Sequence, residues 1–70
     1  MIKTGTEVQW KWGKGTAKGK IEETFSQKIT KTIKGTKVTR EGTSGNKALY
    51  IKQSDGDYVL KSEDEVKRVD

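Results

Sequence analysis

The run VQWKWGKGTAKGKIEETF, Val8 to Phe25, decides the fold. Val8, Trp10 and Trp12 recur at every second position, and so do Ala17, Gly19 and Ile21, with Phe25 extending that second series. Alternation of this period is the signature of a half-buried strand, and Gly-Lys-Gly between two such runs reads as a β-hairpin. With Gly13-Lys14 as the centre of a type II′ turn, Trp12 faces Gly15, Trp10 faces Ala17 and Val8 faces Gly19. Large residues then lie opposite small ones.

The rest of the chain extends this pattern. Ile29 to Ile33 (ITKTI) is rich in β-branched residues, with Ile29 and Ile33 on one side, and favours a strand. Lys34-Gly35 turns the chain and Val38 to Arg40 resumes it, as one bent strand, a small hairpin or a loop. Glu41 to Lys47 is a loop by composition. Asp55-Gly56 between alternating runs predicts a type I′ turn. That turn sets Gln53 opposite Tyr58, Ile51 opposite Leu60 and Leu49 opposite Ser62. Leu49, Ile51, Tyr58 and Leu60 then face the core, while Tyr50, Lys52, Val59 and Lys61 face solvent. Ser62 and Glu65 have capping-box spacing, which predicts one helical turn before a last strand at Val66 to Val69. The expected architecture is all-β: a small five- to six-stranded barrel over residues 1–70, closed because so short a chain cannot protect many sheet edges.

Seventy residues with thirteen Val, Ile, Leu and Phe can support only one small core. Cysteine, histidine and proline are absent, which removes disulfides, Cys/His zinc sites and imidazole or thiol chemistry. No apolar run approaches the roughly 18 residues of a membrane span. A cytoplasmic, monomeric protein without metal or cofactor is the expectation. The net charge of +5 is uneven: residues 1–40 hold ten Lys/Arg against three Glu, and residues 41–70 hold five against seven acids.

The ordered set Gly5-Thr6-x-Val8-x-Trp10, Gly15-x-Ala17-x-Gly19-x-Ile21, Ile33-Lys34-Gly35, Val38-Thr39-Arg40, Asp55-Gly56-x-x-Val59-Leu60-Lys61 and Ser62…Glu65-Val66 resembles the hypervirulence-associated protein Tudor domain family. The likeness runs over residues 5–69 and implies a Tudor-like, SH3-like barrel. It brings no activity with it. One departure is Lys47, which stands before Ala48 where members often carry proline.

Enzymatic chemistry has little to draw on. Glu22 and Glu23 are adjacent on a strand and point apart, Asp55 serves a turn and Glu65 a cap. Gly13-x-Gly15-x-x-x-Gly19 opens no helix and so is no phosphate-binding fingerprint. A binding module is the better class, with protein, peptide or nucleic acid as partner. The resemblance implies an aromatic cage for a methylated Lys or Arg as one form of it, and Trp12, Tyr50 and Tyr58 with Asp55 are the candidates. The other form is a basic face on the first hairpin, from Lys11, Lys14, Lys18, Lys20 and Lys34, that would meet nucleic acid. The same lysines would also arise as the solvent side of alternating strands.

Overall fold

A computed structural model describes residues 2–69. Seven strands form: β1 (Glu7–Trp12), β2 (Gly15–Phe25), β3 (Ile29–Ile33), β4 (Thr36–Arg40), β5 (Ala48–Gln53), β6 (Tyr58–Ser62) and a two-residue β7 (Lys67–Arg68). A 3-10 turn at Glu63–Glu65 precedes β7. Five strands make one sheet in the order β6-β5-β2-β1-β7, and β3 and β4 form a separate antiparallel pair. The outermost strands of the large sheet, β6 and β7, are consecutive and joined only by the 3-10 turn, so the sheet curls on itself as a small Tudor-like barrel.

The opening hairpin has the expected register, with Val8 opposite Gly19, Trp10 opposite Ala17 and Trp12 opposite Gly15. Gly13 has φ 55° and Lys14 lies outside the left-handed region, as a type II′ turn requires. The constraint on Gly19 comes from β5 as well as from Val8. A Cβ there would stand 2.6 Å from Ile51 Cγ2 and 2.7 Å from the Lys52 carbonyl oxygen. The absent side chain lets β5 close onto β2.

Two features reassign faces. The β2–β5 ladder slips between Ile21/Ile51 and Glu23/Tyr50, leaving Glu22 as a bulge. A bulge shifts parity by one, so Phe25 leaves the face of Ala17, Gly19 and Ile21 and lies opposite Ala48 instead. The second shift of register lies at Asp55-Gly56. Ile51 pairs with Val59, Tyr50 with Leu60 and Leu49 with Lys61, one residue away from the expected register. Gly56 has φ 93° while Asp55 does not enter the left-handed region. The Gly56 amide donates to the Gln53 carbonyl at 3.0 Å and the Gln53 amide to the Asp57 carbonyl at 2.7 Å. The connection is thus a three-residue loop with glycine in the left-handed position, not a two-residue type I′ turn.

A slip of one residue turns every side chain of β6 over. Val59 packs against the core, while Tyr58 and Leu60 join Tyr50 on the opposite side. The main core cluster is Ile2, Val8, Trp10, Ile21, Leu49, Ile51 and Val66, with Ala17 and Val59 against it, and Ala48 and the expected core residue Leu60 are buried too, on the Tyr50 side of the sheet. Ile2, ahead of the first strand, belongs to the cluster as well.

The type I′ turn of this chain lies elsewhere. Lys34 (φ 51°) and Gly35 (φ 78°) are both left-handed and join β3 to β4, with Ile33 opposite Thr36. Of the alternatives open for residues 29–40, the hairpin is realised. Its strands alternate between half-buried Ile29, Lys31, Ile33, Val38 and Arg40 and exposed Thr30, Thr32, Lys37 and Thr39. The half-buried side packs towards β6. Arg40 Nε donates to Glu65 Oε1 at 3.0 Å, which ties the hairpin to the 3-10 turn.

The Ser62 amide donates to Glu65 Oε1 at 2.8 Å, the expected cap contact. Burial pushes the Glu65 carboxyl up, but the Ser62 amide, the Arg40 guanidinium and the Lys61 charge together outweigh it and hold the group below its ordinary value. Lys47, in the position that often carries proline, uses its backbone N–H: it donates to Glu63 Oε1 at 2.9 Å, while the Glu63 amide donates to the Lys47 carbonyl at 2.9 Å. Proline has no such hydrogen.

Candidate functional site

The tips of the three hairpins converge at one end of the barrel. The β1–β2 tip brings Trp12, the β3–β4 tip brings Ile33 and Lys34, and the β5–β6 loop brings Asp55, Asp57 and Tyr58. Together they enclose a groove of about 500 Å³. Its apolar surface comes from Trp10, Trp12, Ala17, Ile33 and Val59, and its polar surface from Gln53, Asp55, Asp57, Tyr58, Lys34 and Lys61, the last paired with Glu65.

Trp12 is the one large exposed hydrophobic among the described residues, at 72% of its free surface. It continues the buried side of β1 past the last residue that the sheet can cover, and its partner across the ladder is Gly15, which offers no side chain to pack on. Asp57 accepts from Lys34, Oδ2 to Nζ 2.8 Å. That bond and the carboxylate charge hold the Lys34 ammonium above its ordinary value. Asp55 Oδ1 accepts from the Asp57 amide at 3.0 Å, an Asx turn that orients the loop. Among the described residues Asp55 makes no ion pair within contact distance, although its charge adds to that of Asp57 in raising Lys34, and its second oxygen is left for a cation from outside.

Of the four aromatic-cage candidates, the groove brings together Trp12, Tyr58 and Asp55 and leaves out Tyr50. Tyr50 is stacked on Tyr58, centroids 4.8 Å apart and planes 13° from parallel. Its ring also carries Lys31, whose Nζ lies 4.8 Å from the Tyr50 centroid, 5.3 Å from the Phe25 centroid and 3.7 Å from Glu23 Oε1. The chain thus supplies a cation of its own to Phe25 and Tyr50. Phe25, Lys31 and Glu23 were not legible as a cluster in the sequence, because the bulge at Glu22 is what puts Phe25 and Glu23 on the Tyr50 side. Ile33, Val59 and Asp57 were likewise missed as groove residues. The half-buried Ile33 and the turn acid Asp57 carry no signal by themselves.

The five basic-face candidates divide. Lys11, Lys18 and Lys20 lie on the outer side of the β1–β2 ladder with Glu7, Gln9 and Thr16. Lys14 is exposed at the β1–β2 turn, and Lys34 is at the groove, bonded to Asp57. Two lysines not among the candidates join the first three: Lys52 opposite Lys20, and Lys67 opposite Gln9. Among the described residues no group of three or more acidic side chains is placed to hold a metal ion, and no helix is long and apolar enough to cross a membrane.

A family model described as the hypervirulence associated proteins TUDOR domain matches residues 5–66. No curated protein and no solved structure matches the chain.

Proposed function

The chain belongs to the hypervirulence-associated protein TUDOR domain family, and on that ground we propose that it is a non-catalytic interaction module whose ligand seat is the groove between the hairpin tips. Membership supports a small binding module. The finer reading, an extended peptide with a basic side chain in the groove, rests on Trp12. A ring 72% exposed costs solvation and contributes nothing to this core. It stands where Tyr58, Ile33 and Val59 offer apolar contact and Asp55 an exposed carboxylate. An Arg or Lys side chain fits that combination: its stem lies against Ile33 and Val59 and its cationic head meets the rings and Asp55. A cage selective for the methylated cation has only Trp12 and Tyr58 to call on, since Tyr50 is occupied by Tyr58 and Lys31.

The test is a peptide array with Lys, Arg and their methylated forms, followed by titration in solution using Trp fluorescence. Saturable binding should fall at least tenfold in Trp12→Ala and Asp55→Asn, with the unfolding midpoint of each within error of the parent. Binding untouched by both substitutions would overturn the reading. A preference for methylated peptides would convert the groove into a cage, and indifference to methylation would leave it a general basic-peptide seat.

A further inference from the structure

We propose that the outer side of β7, β1, β2 and β5 docks the phosphate backbone of duplex nucleic acid, without regard to base sequence. The surface is separate from the groove and does not depend on what the groove binds. Lys67, Lys11, Lys18, Lys20 and Lys52 all project from it, because their ladder partners place them on the side opposite Val8, Trp10, Ile21 and Ile51. All five are exposed. Among the described residues none forms an ion pair, although Lys31, Lys34, Arg40 and Lys61 each find a carboxylate elsewhere in the chain.

The arrangement is costly to the fold alone. Lys20 and Lys52 stand directly opposite one another across the β2–β5 ladder, and like charges in that relation repel at about 5 Å between Cβ atoms. Glu7, opposite Lys20 on the other side, and the bulged Glu22 are the nearest acids on these strands. Asp64 and Glu65 of the 3-10 turn border the patch beside Lys11 and Lys67. The five lysines therefore outnumber the acids that border them, Glu7 and Glu22 on the strands and Asp64 and Glu65 of the 3-10 turn, and Glu65 is already committed to Arg40 and Lys61.

Geometry selects the polyanion. Three interstrand steps from β7 to β5 cover about 14 Å, and Lys18 and Lys20 are about 7 Å apart along β2. A duplex presents one charge per about 1.7 Å of axis, so roughly eight phosphate charges fall within that width. Binding of single strands relies on aromatic platforms for the bases. On β7, β1 and the first half of β2 no ring lies on this side, and the nearest one, Tyr58 opposite Lys52, is stacked on Tyr50. A membrane surface would use apolar side chains among the lysines to enter the interface. The exposed hydrophobic of this chain, Trp12, is at the groove instead.

The experiment measures fluorescence anisotropy with a labelled 20-base-pair duplex of random sequence, the corresponding single strand and, by sedimentation, vesicles with 30% phosphatidylserine. The expected result is duplex binding whose logarithm falls with log salt at a slope of about −4, or roughly a 250-fold loss between 50 and 200 mM salt. The double substitution Lys20→Gln/Lys52→Gln should reduce the magnitude of the slope by about 1.8 and leave thermal stability equal or higher. Lys11→Gln/Lys67→Gln should act likewise, and Trp12→Ala should leave duplex affinity unchanged. Absence of duplex binding at 50 mM salt, tighter binding of the single strand or of vesicles, or a slope that neither double substitution alters would each overturn the proposal.

Discussion

Tyr50 and Tyr58 stack face to face, centroids 4.8 Å apart, on the side of the β5–β6 ladder opposite Leu49 and Ile51. The sequence pattern put these two rings on different sides. What joins them is a single residue in the loop between their strands. With Ser54, Asp55 and Gly56 as a three-residue connection, Lys52 rather than Gln53 faces Tyr58. The same loop orients Asp55 and Asp57 at the groove, so the register of a hairpin and the composition of the candidate site are one decision.

That loop geometry has a direct test. Gly56 is left-handed, φ 93°, and a side chain there should cost about 1–2 kcal/mol. Asp55 is not left-handed, and its carboxylate accepts the Asp57 amide. Urea unfolding should therefore show Gly56→Ala destabilised by that amount and Asp55→Gly destabilised by roughly 0.5–1 kcal/mol through the lost bond and added chain entropy. A type I′ turn would instead make Asp55→Gly neutral or stabilising.

Lys31 tests the cluster beneath β3. Its ammonium faces Phe25, Tyr50 and Glu23 at once. Lys31→Met keeps most of the stem and removes the charge, and the expected loss is about 0.5–1 kcal/mol in thermal or urea unfolding. Lys37→Met, on the exposed side of the same hairpin, should be within error of the parent.

Two glycines of one loop should behave oppositely. A Cβ on Gly42 would run into the Phe25 and Gln27 carbonyl oxygens and the Ala48 nitrogen, all backbone atoms that cannot step aside. A Cβ on Gly45 meets nothing within 4 Å. Gly42→Ala should lower stability by about 1–3 kcal/mol, and Gly45→Ala should change it by less than about 0.5 kcal/mol. Unfolding midpoints of the two variants, measured side by side, check the contrast.

The acid limb of stability should depend on Glu65. Its carboxyl is held below the ordinary value in the folded chain, so the unfolded chain binds the proton more readily. The resulting stability is present above the unfolded value of about 4.3 and is lost as pH falls through the lower folded value. Glu65→Gln should be less stable at pH 7 and show a flatter decline below pH 5. Lys34 has the opposite sign. Its raised ammonium stabilises below the ordinary lysine value and the contribution disappears as pH rises through the folded one, so Lys34→Met should flatten the alkaline limb. Unfolding free energies across pH 2–12 measure both.

The all-β class, the opening hairpin with Trp10 over Ala17, the strand at Ile29–Ile33 and the turn before the last strand were all determined by the sequence itself. Each depends on local signals: period-two alternation, β-branched runs, a glycine turn and a capping spacing. The positions that shape the candidate site were decided by tertiary structure. The bulge at Glu22 moves Phe25 and Glu23 to the Tyr50 side, the Asp55-Gly56 connection takes three residues rather than two, and Lys34 rather than Asp55 enters a type I′ turn. Dipeptides such as Asp-Gly and Lys-Gly are compatible with more than one loop, and the difference between loops is only one residue of register. Long-range packing chooses among them: Gly19 admitting Ile51, Lys31 settling on two rings, and Val59 rather than Tyr58 filling the core. Because the period of a strand is two, each such choice exchanges an entire face. That is why the first hairpin could be read in advance, whereas the groove at its tip was visible only after the other two hairpins had closed around Trp12.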